Sequence, residues 1–246
     1  MIISRTPFRV SFFGGGTDYP AWFEAEKGAV LVTTIDKYCY VSCRPLPPFF
    51  PHKHRIVYSK IENVQRPDEI VHPTVRGCLQ HLEIDTGVEI HHDADLPARA
   101  GLGASSSFTV GLLHSLHALK GNIATKMDLA REAIHVERDL AKEHVGCQDQ
   151  TAAALGGLNR IEFGAGEEIV AQPLILSPER KALLESHLML FFTGLTRLAT
   201  EMAAEQLKNL PRNQDALRTM YGMVDEAVGV LASDGGLEDF GRLLHE

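Results

Sequence analysis

Cysteine is scarce: the 246 residues hold Cys39, Cys43, Cys78 and Cys147, and no two of them form a C-x-x-C pair. That argues against a disulfide or zinc framework and for reduced thiols in a cytoplasmic protein. Positive charge is also short. Lys and Arg number 24 against 32 Asp and Glu, a formal charge of −8 with no basic run, so no footprint for a nucleic-acid backbone is present. No apolar run reaches the length of a membrane span, and the opening MIISRTPF lacks the apolar centre of a signal peptide, so no membrane partner is expected. Internal repeats and low-complexity segments are absent as well. What remains is an ordinary globular composition, 44% hydrophobic and 23% charged, long enough for one large domain or two small ones.

Periodicity sets out the elements. Residues 2–13 read as a strand entering the glycine-rich turn Gly14-Gly15-Gly16-Thr17-Asp18. The β-branched and aromatic run 29–44 predicts strands that turn near Asp36-Lys37, and the proline-rich stretch Pro45–His54 predicts an exposed loop. A short strand is expected from Arg55 to Ser59, a helix from Asp68 to Leu82, and a strand from Gly87 to His92. Helices follow from Ala104, and from Thr125 to about Lys142, the second opening on a Thr-x-x-Asp capping pattern. A hairpin over 158–163 and 169–176, a short helix at Pro178 and an apolar strand from Leu188 to Thr193 come next. The rest is helical, broken at Pro211 and at Asp234-Gly235-Gly236. The irregular alternation of strand and helix implies an α+β fold with a seam near residues 176–188.

Three segments carry chemistry. In Pro97-Ala-Arg-Ala-Gly101-Leu102-Gly103-Ala104-Ser105-Ser106-Ser107, a strand end, a glycine loop and a hydroxyl-rich helix start make a cradle for phosphate. It is neither a Walker loop, which needs Gly-Lys-Ser/Thr, nor a dinucleotide fingerprint, whose third glycine is replaced by Ser106. Glu137 and Asp149 supply carboxylates for Mg²⁺ and for a substrate hydroxyl, although Glu137-Arg138-Asp139 taken alone reads as a solvated charged face. Arg9 and Asp18 flank a flexible turn suited to a polyhydroxy substrate, and alone that turn reads as an Asp/Thr backbone hydrogen bond. Twelve histidines offer no zinc-type spacing: His91 and His92 face opposite ways on a strand, and His114-x-x-His117 has no third ligand in view.

Taken together and in order, these motifs resemble the GHMP small-molecule kinases. The loop Pro97-x3-Gly101-Leu-Gly103-Ala-Ser105-Ser106 is similar to that family's second motif, and Pro7-Phe-Arg9-Val-Ser-Phe-Phe-Gly-Gly-Gly-Thr-Asp18-Tyr-Pro20 to the sugar-kinase form of the first. The likeness is greatest to the branch acting on D-glycero-D-manno-heptose 7-phosphate and extends over roughly residues 3–200. It implies a two-domain fold: a ribosomal protein S5 domain 2-like, ATP-binding N-terminal domain over 1–180 and an incomplete ferredoxin-like C-terminal domain over 181–246. The resemblance implies ATP held by residues Gly101 to Ser107, Mg²⁺ ligated by Ser105 and Glu137, and catalysis by Asp149 and Arg9. It implies a sugar or sugar phosphate met by Gly15, Gly16, Thr17, Asp18, Thr193 and Arg197, with Lys53 and Arg55 further candidates for a distal phosphate.

Two departures stand out. Ala104 replaces the usual first serine of Gly-Leu-Gly-Ser-Ser, and nothing after Leu188 matches the family's third, glycine-rich motif. The expectation is therefore a C-terminally truncated, cytoplasmic sugar kinase, with a homodimer as its candidate assembly. A kinase for another sugar such as fucose, or a non-catalytic sugar- or nucleotide-binding protein, stays open.

Overall fold

The structure, a computed structural model, describes residues 1–97, 100–191, 205 and 208–246. Along the chain these form β1 (Ile2–Phe13), α1 (Pro20–Phe23), β2 (Gly28–Pro45), β3 (His54–Val57), β4 (Ile61–Val64), α2 (Pro73–His81) and β5 (Val88–Ala94). There follow α3 (Ala104–Leu119), α4 (Lys126–His135), α5 (Gln148–Leu155), β6 (Leu158–Gly164), β7 (Glu168–Pro173), α6 (Pro178–Ser186), α7 (Gln214–Ala232) and α8 (Glu238–His245). Two compact units result, each built from separated stretches. The first takes Met1–Phe8, Ile35–Val145 and Asp149–Gly156; the second takes Arg9–Thr34, Gly146–Gln148 and Gly157–Glu246. Strand and helix are mixed in both, in keeping with the α+β reading. Among the described residues no helix is long and apolar enough to cross a membrane.

In the first unit the strand order is β4-β3-β5-β2, with β3 and β5 parallel and the other pairs antiparallel. Alternation puts Cys39, Val41 and Cys43 of β2, Ile56 of β3 and Val88 and Ile90 of β5 on one buried face. That face packs with Val75, Cys78 and Leu79 of α2 and Leu112, Leu113 and Leu116 of α3 in one cluster. α3 lies close on β1: Ser4 Oγ donates to the Gly111 carbonyl at 2.8 Å, and a Cβ at Gly111 would come within 2.7 Å of Thr6 Oγ1. Burial raises the Cys39 and Cys43 thiols to about 12, so they pack as small apolar groups.

The second unit pairs residues 28–33 of β2 with β6 and β6 with β7, all antiparallel. Phe13, Ala29 and Leu31 pack with Val224, Ala227 and Leu231 of α7 and Phe240 of α8, and both Phe12 and Phe13 meet Phe240 edge-on. At Gly28 a Cβ would stand 2.0 Å from the backbone oxygen of Thr17. Gly28→Ala is expected to destabilise by about 2 kcal/mol or more and to lower the melting temperature by roughly 4–8 °C. An unchanged calorimetric transition would refute that close approach.

Four sequence expectations are corrected. β2 is one continuous strand from Gly28 to Pro45 and does not turn at Asp36-Lys37, a pair without the glycine that two-residue hairpin turns favour. It is continuous because its two halves serve different partners, β6 and β5. α2 starts at Pro73, since a proline forces the residue before it out of the helical region, and only Pro67–Glu69 upstream makes a short 3₁₀ turn. α4 opens on the expected Thr125–Asp128 capping box but stops at His135, where the backbone widens into a π turn over Val136–Leu140. Finally, Leu188–Phe191 forms no strand and its four side chains are exposed, because no described strand offers it a ladder; Phe192 and Thr193 lie outside the described residues.

Candidate active site

The loop between β5 and α3 is built by glycine. Gly101 and Gly103 have φ of +75° and +72°, a left-handed conformation that side-chain-bearing residues adopt at a cost. Gly103 is the N-cap of α3, and no side chain caps that end. The first-turn N–H groups and the positive end of the helix dipole are thus available to an anion. Leu102 and Ala104 pack on the edge of the first unit's core. Ser105 is exposed, whereas Ser106 and Ser107 turn inward, and Ser107 Oγ donates to the Pro7 carbonyl at 2.8 Å.

Beneath that first turn lies Glu137, fully buried and not the solvated charge that Glu137-Arg138-Asp139 suggested by itself. The π turn carries it. Three neutral donors from two further helices hold its carboxyl. Ser106 Oγ and Gln150 Nε2 reach Oε2 at 2.9 and 2.5 Å, and Thr109 Oγ1 reaches Oε1 at 2.5 Å. Burial pushes the Glu137 carboxyl up to about 7 despite those bonds, and the neighbouring Glu143 adds repulsion. Of the three serines at the start of α3, Ser106 is the one that bonds Glu137.

In the second unit the Gly14–Asp18 turn is tightly closed. Gly14 and Gly16 have φ of +82° and +97°. Thr17 Oγ1, fully buried, has one proton to donate and two acceptors in reach, the Gly14 and Ala29 carbonyls at 2.8 and 2.9 Å. Asp18 is 1% exposed; its carboxylate accepts the N–H of Gly16 at 3.0 Å and the N–H and side-chain amide of Gln148 at 3.1 and 3.3 Å. Gly146 is required beside it, since a Cβ there would stand 1.9 Å from Asp18 Oδ2. Gly146→Ala is therefore expected to lower the melting temperature by several degrees, and an unchanged calorimetric transition would refute that close approach. Arg9 lies half-buried on β1, and Gly15 is partly open.

The sequence family described as GHMP kinases N terminal domain matches residues 70–157, the stretch that holds the glycine loop, Glu137 and Asp149. The chain carries a GHMP kinase N-terminal domain. Over 238 residues it is 26% identical to the D-glycero-alpha-D-manno-heptose 7-phosphate kinase of Campylobacter jejuni, which covers 92% of this chain and 69% of that enzyme. It is 27% identical over 219 residues to the bifunctional fucokinase/GDP-fucose pyrophosphorylase of Arabidopsis thaliana, covering 80% of this chain and 20% of that protein. Its fold matches the crystal structure of a D-glycero-D-manno-heptose 1-phosphate kinase from Bacteroides thetaiotaomicron with a TM-score of 0.82 at 22% identity, over 99% of this chain and 76% of that one. All three are named as kinases of a sugar or a sugar phosphate.

Within the GHMP domain, Asp149 occupies the first turn of α5, half-buried, between Gln148 and Gln150 in sequence. Thr193 and Arg197, singled out for a substrate phosphate, lie outside the described residues. Three residues of the Glu137 network, Ser106, Thr109 and Gln150, had no such role in the sequence reading. For two of them the spacing was in view: Ser106 and Thr109 stand i, i+3 on α3, so their hydroxyls share one face. Lys53 and Arg55 are separately placed. Arg55 lies on β3 beside Glu89, which Arg44 also pairs.

The donor set suits a hard divalent cation. Mg²⁺ takes oxygen ligands and is commonly held by one or two protein groups together with water and phosphate oxygens. Glu137 is a buried carboxylate surrounded by neutral donors, and Ser105 presents an exposed hydroxyl on the same helix turn as Ser106. No group of three His, Cys, Asp or Glu able to cage a metal occurs among the described residues.

Proposed function

We propose that this chain transfers the γ-phosphoryl group of ATP to a hydroxyl of a small sugar or sugar phosphate, with D-glycero-D-manno-heptose 7-phosphate the leading acceptor. The observation that carries the reading is the buried Glu137 carboxylate, bonded to the first turns of the helix whose uncapped N-terminus follows the glycine loop. In this reading the N–H groups and hydroxyls of residues 101–107 hold the nucleotide phosphates. Ser105 and Glu137 hold Mg²⁺, which supplies charge neutralisation on the transferring group. Asp149 accepts the proton of the acceptor hydroxyl, and Arg9 balances the charge that develops there. The Gly15-Gly16-Thr17-Asp18 turn supplies the sugar side, and Thr193 and Arg197 an acceptor phosphate. Residues 1–180 form the nucleotide-binding domain and 181–246 belong to a second one. Phosphoryl transfer asks the protein chiefly for positioning and electrostatics, and these residues provide both.

The test is ADP release by the purified chain with Mg²⁺ and a panel of heptose 7-phosphate, other heptoses, fucose and galactose. Turnover with one heptose phosphate is the expected result. Turnover with fucose alone would move the substrate to the fucokinase relatives, and sugar binding without turnover would make the chain a binding protein.

A further inference from the structure

We propose that Gln150 is a positioning residue for the divalent cation: its amide N–H fixes the Glu137 carboxylate, and its amide oxygen accepts from the hydration shell of the bound ion. This rests on the reading of the Glu137 site given above.

Three observations lead there. First, Gln150 is fully buried in the first turn of α5, and its Nε2 lies 2.5 Å from Glu137 Oε2. Second, its Oε1 is buried with no hydrogen-bond partner among the described residues. A glutamine kept only to satisfy Glu137 leaves that oxygen at a penalty, since buried amide oxygens are almost always paired. A cation that retains part of its water shell brings donors to such an oxygen.

Third, the other contacts to Glu137 do not fix it alone. Thr109 Oγ1 has one proton but two acceptors, Glu137 Oε1 at 2.5 Å and the Ser105 carbonyl at 3.0 Å. Ser106 holds Oε2 from α3 only. Gln150 is thus the donor that ties the carboxylate to α5, the helix of Asp149. The neighbours Thr151, Ala152 and Ala153 are buried, a setting in which an apolar side chain is the ordinary occupant.

The experiment is calorimetric titration of the full chain with a non-hydrolysable ATP analogue, once with Mg²⁺ and once with EDTA. Wild type is compared with Gln150→Met, an apolar near-isostere, and Gln150→Asn, whose amide is one methylene too short to reach Glu137. Outer-shell partners of metal ligands change metal affinity about 10–100-fold, so both variants are expected to lose about that factor of Mg²⁺-dependent affinity. Their EDTA affinity should stay at the wild-type value, which a general loosening of the fold would not allow. Melting curves monitor folding, and if Gln150→Met fails to fold, Gln150→Asn decides.

Mg²⁺-dependent affinity equal to wild type in a folded variant overturns the proposal. Wild type showing no gain from Mg²⁺ overturns it too, together with the cation reading of Glu137. Metal-dependent binding that is intact in wild type and lost in the variants supports the proposal, even where no acceptor sugar is turned over.

Discussion

Asp149→Asn is expected to lower kcat by about 10²–10⁴-fold while leaving the affinity for Mg²⁺ and nucleotide within twofold of wild type. The asparagine keeps the size and polarity of the side chain in the first turn of α5. What it removes is the ability to take a proton from an attacking hydroxyl. If Asp149 served instead to bind substrate in its ground state, the loss would fall on KM with kcat preserved. If it were only a helix-start residue, the melting temperature would fall and kcat would follow the folded fraction. Steady-state kinetics with a heptose phosphate acceptor, paired with calorimetric nucleotide binding, separates these cases. Normal turnover by the variant would remove Asp149 from the chemistry and leave the proton acceptor to be sought elsewhere.

Much of the fold was legible because local chemistry and tertiary structure agree. The Thr125–Asp128 box, the short helix opening at Pro178 and the β6–β7 hairpin stand close to where side-chain type and spacing put them. The glycine loop was legible for the same reason: positive φ and an uncapped helix start leave a residue-level mark. Failures came where a distant partner decides. Nothing local says that β2 continues past Asp36-Lys37, since β6 supports one half and β5 the other. Nor does an apolar run such as Leu188–Phe191 form a strand without a ladder.

Glu137 shows the same limit within the site. Flanked by Arg138 and Asp139, it looks like a surface charge, and only the packing of α3 and α5 against the π turn buries it. Asp18 was legible as a turn residue, but its second set of donors, from Gln148, lies 130 residues away. In both cases the motif named the carboxylate, and the partners that set its behaviour come from elements distant in sequence.

Those partners make Glu137→Gln an expected stabiliser that inactivates. A glutamine at 137 can accept from Ser106 and Gln150 on its oxygen and donate to Thr109 Oγ1, which frees the Thr109 proton for the Ser105 carbonyl. The network is then satisfied without a buried charge. The pH dependence gives the sign. Burial raises the Glu137 carboxyl from 4.5 to about 7, so the folded state holds a proton that the unfolded chain has released between those values. Wild-type stability contributed by this group is therefore complete below about pH 4.5 and falls as pH rises through 7, by roughly 3 kcal/mol at most, at about 1.4 kcal/mol per pH unit. The neutral glutamine has no such slope. Melting temperatures without divalent cation should thus nearly coincide at pH 5 and diverge by several degrees in favour of Glu137→Gln at pH 8. Kinase activity of the variant should be lost together with its Mg²⁺-dependent nucleotide affinity, because a carboxamide is a poor ligand for a hard cation. Parallel melting curves across that range would show that Glu137 titrates alike in both states, and that its burial stores no strain for a cation to relieve.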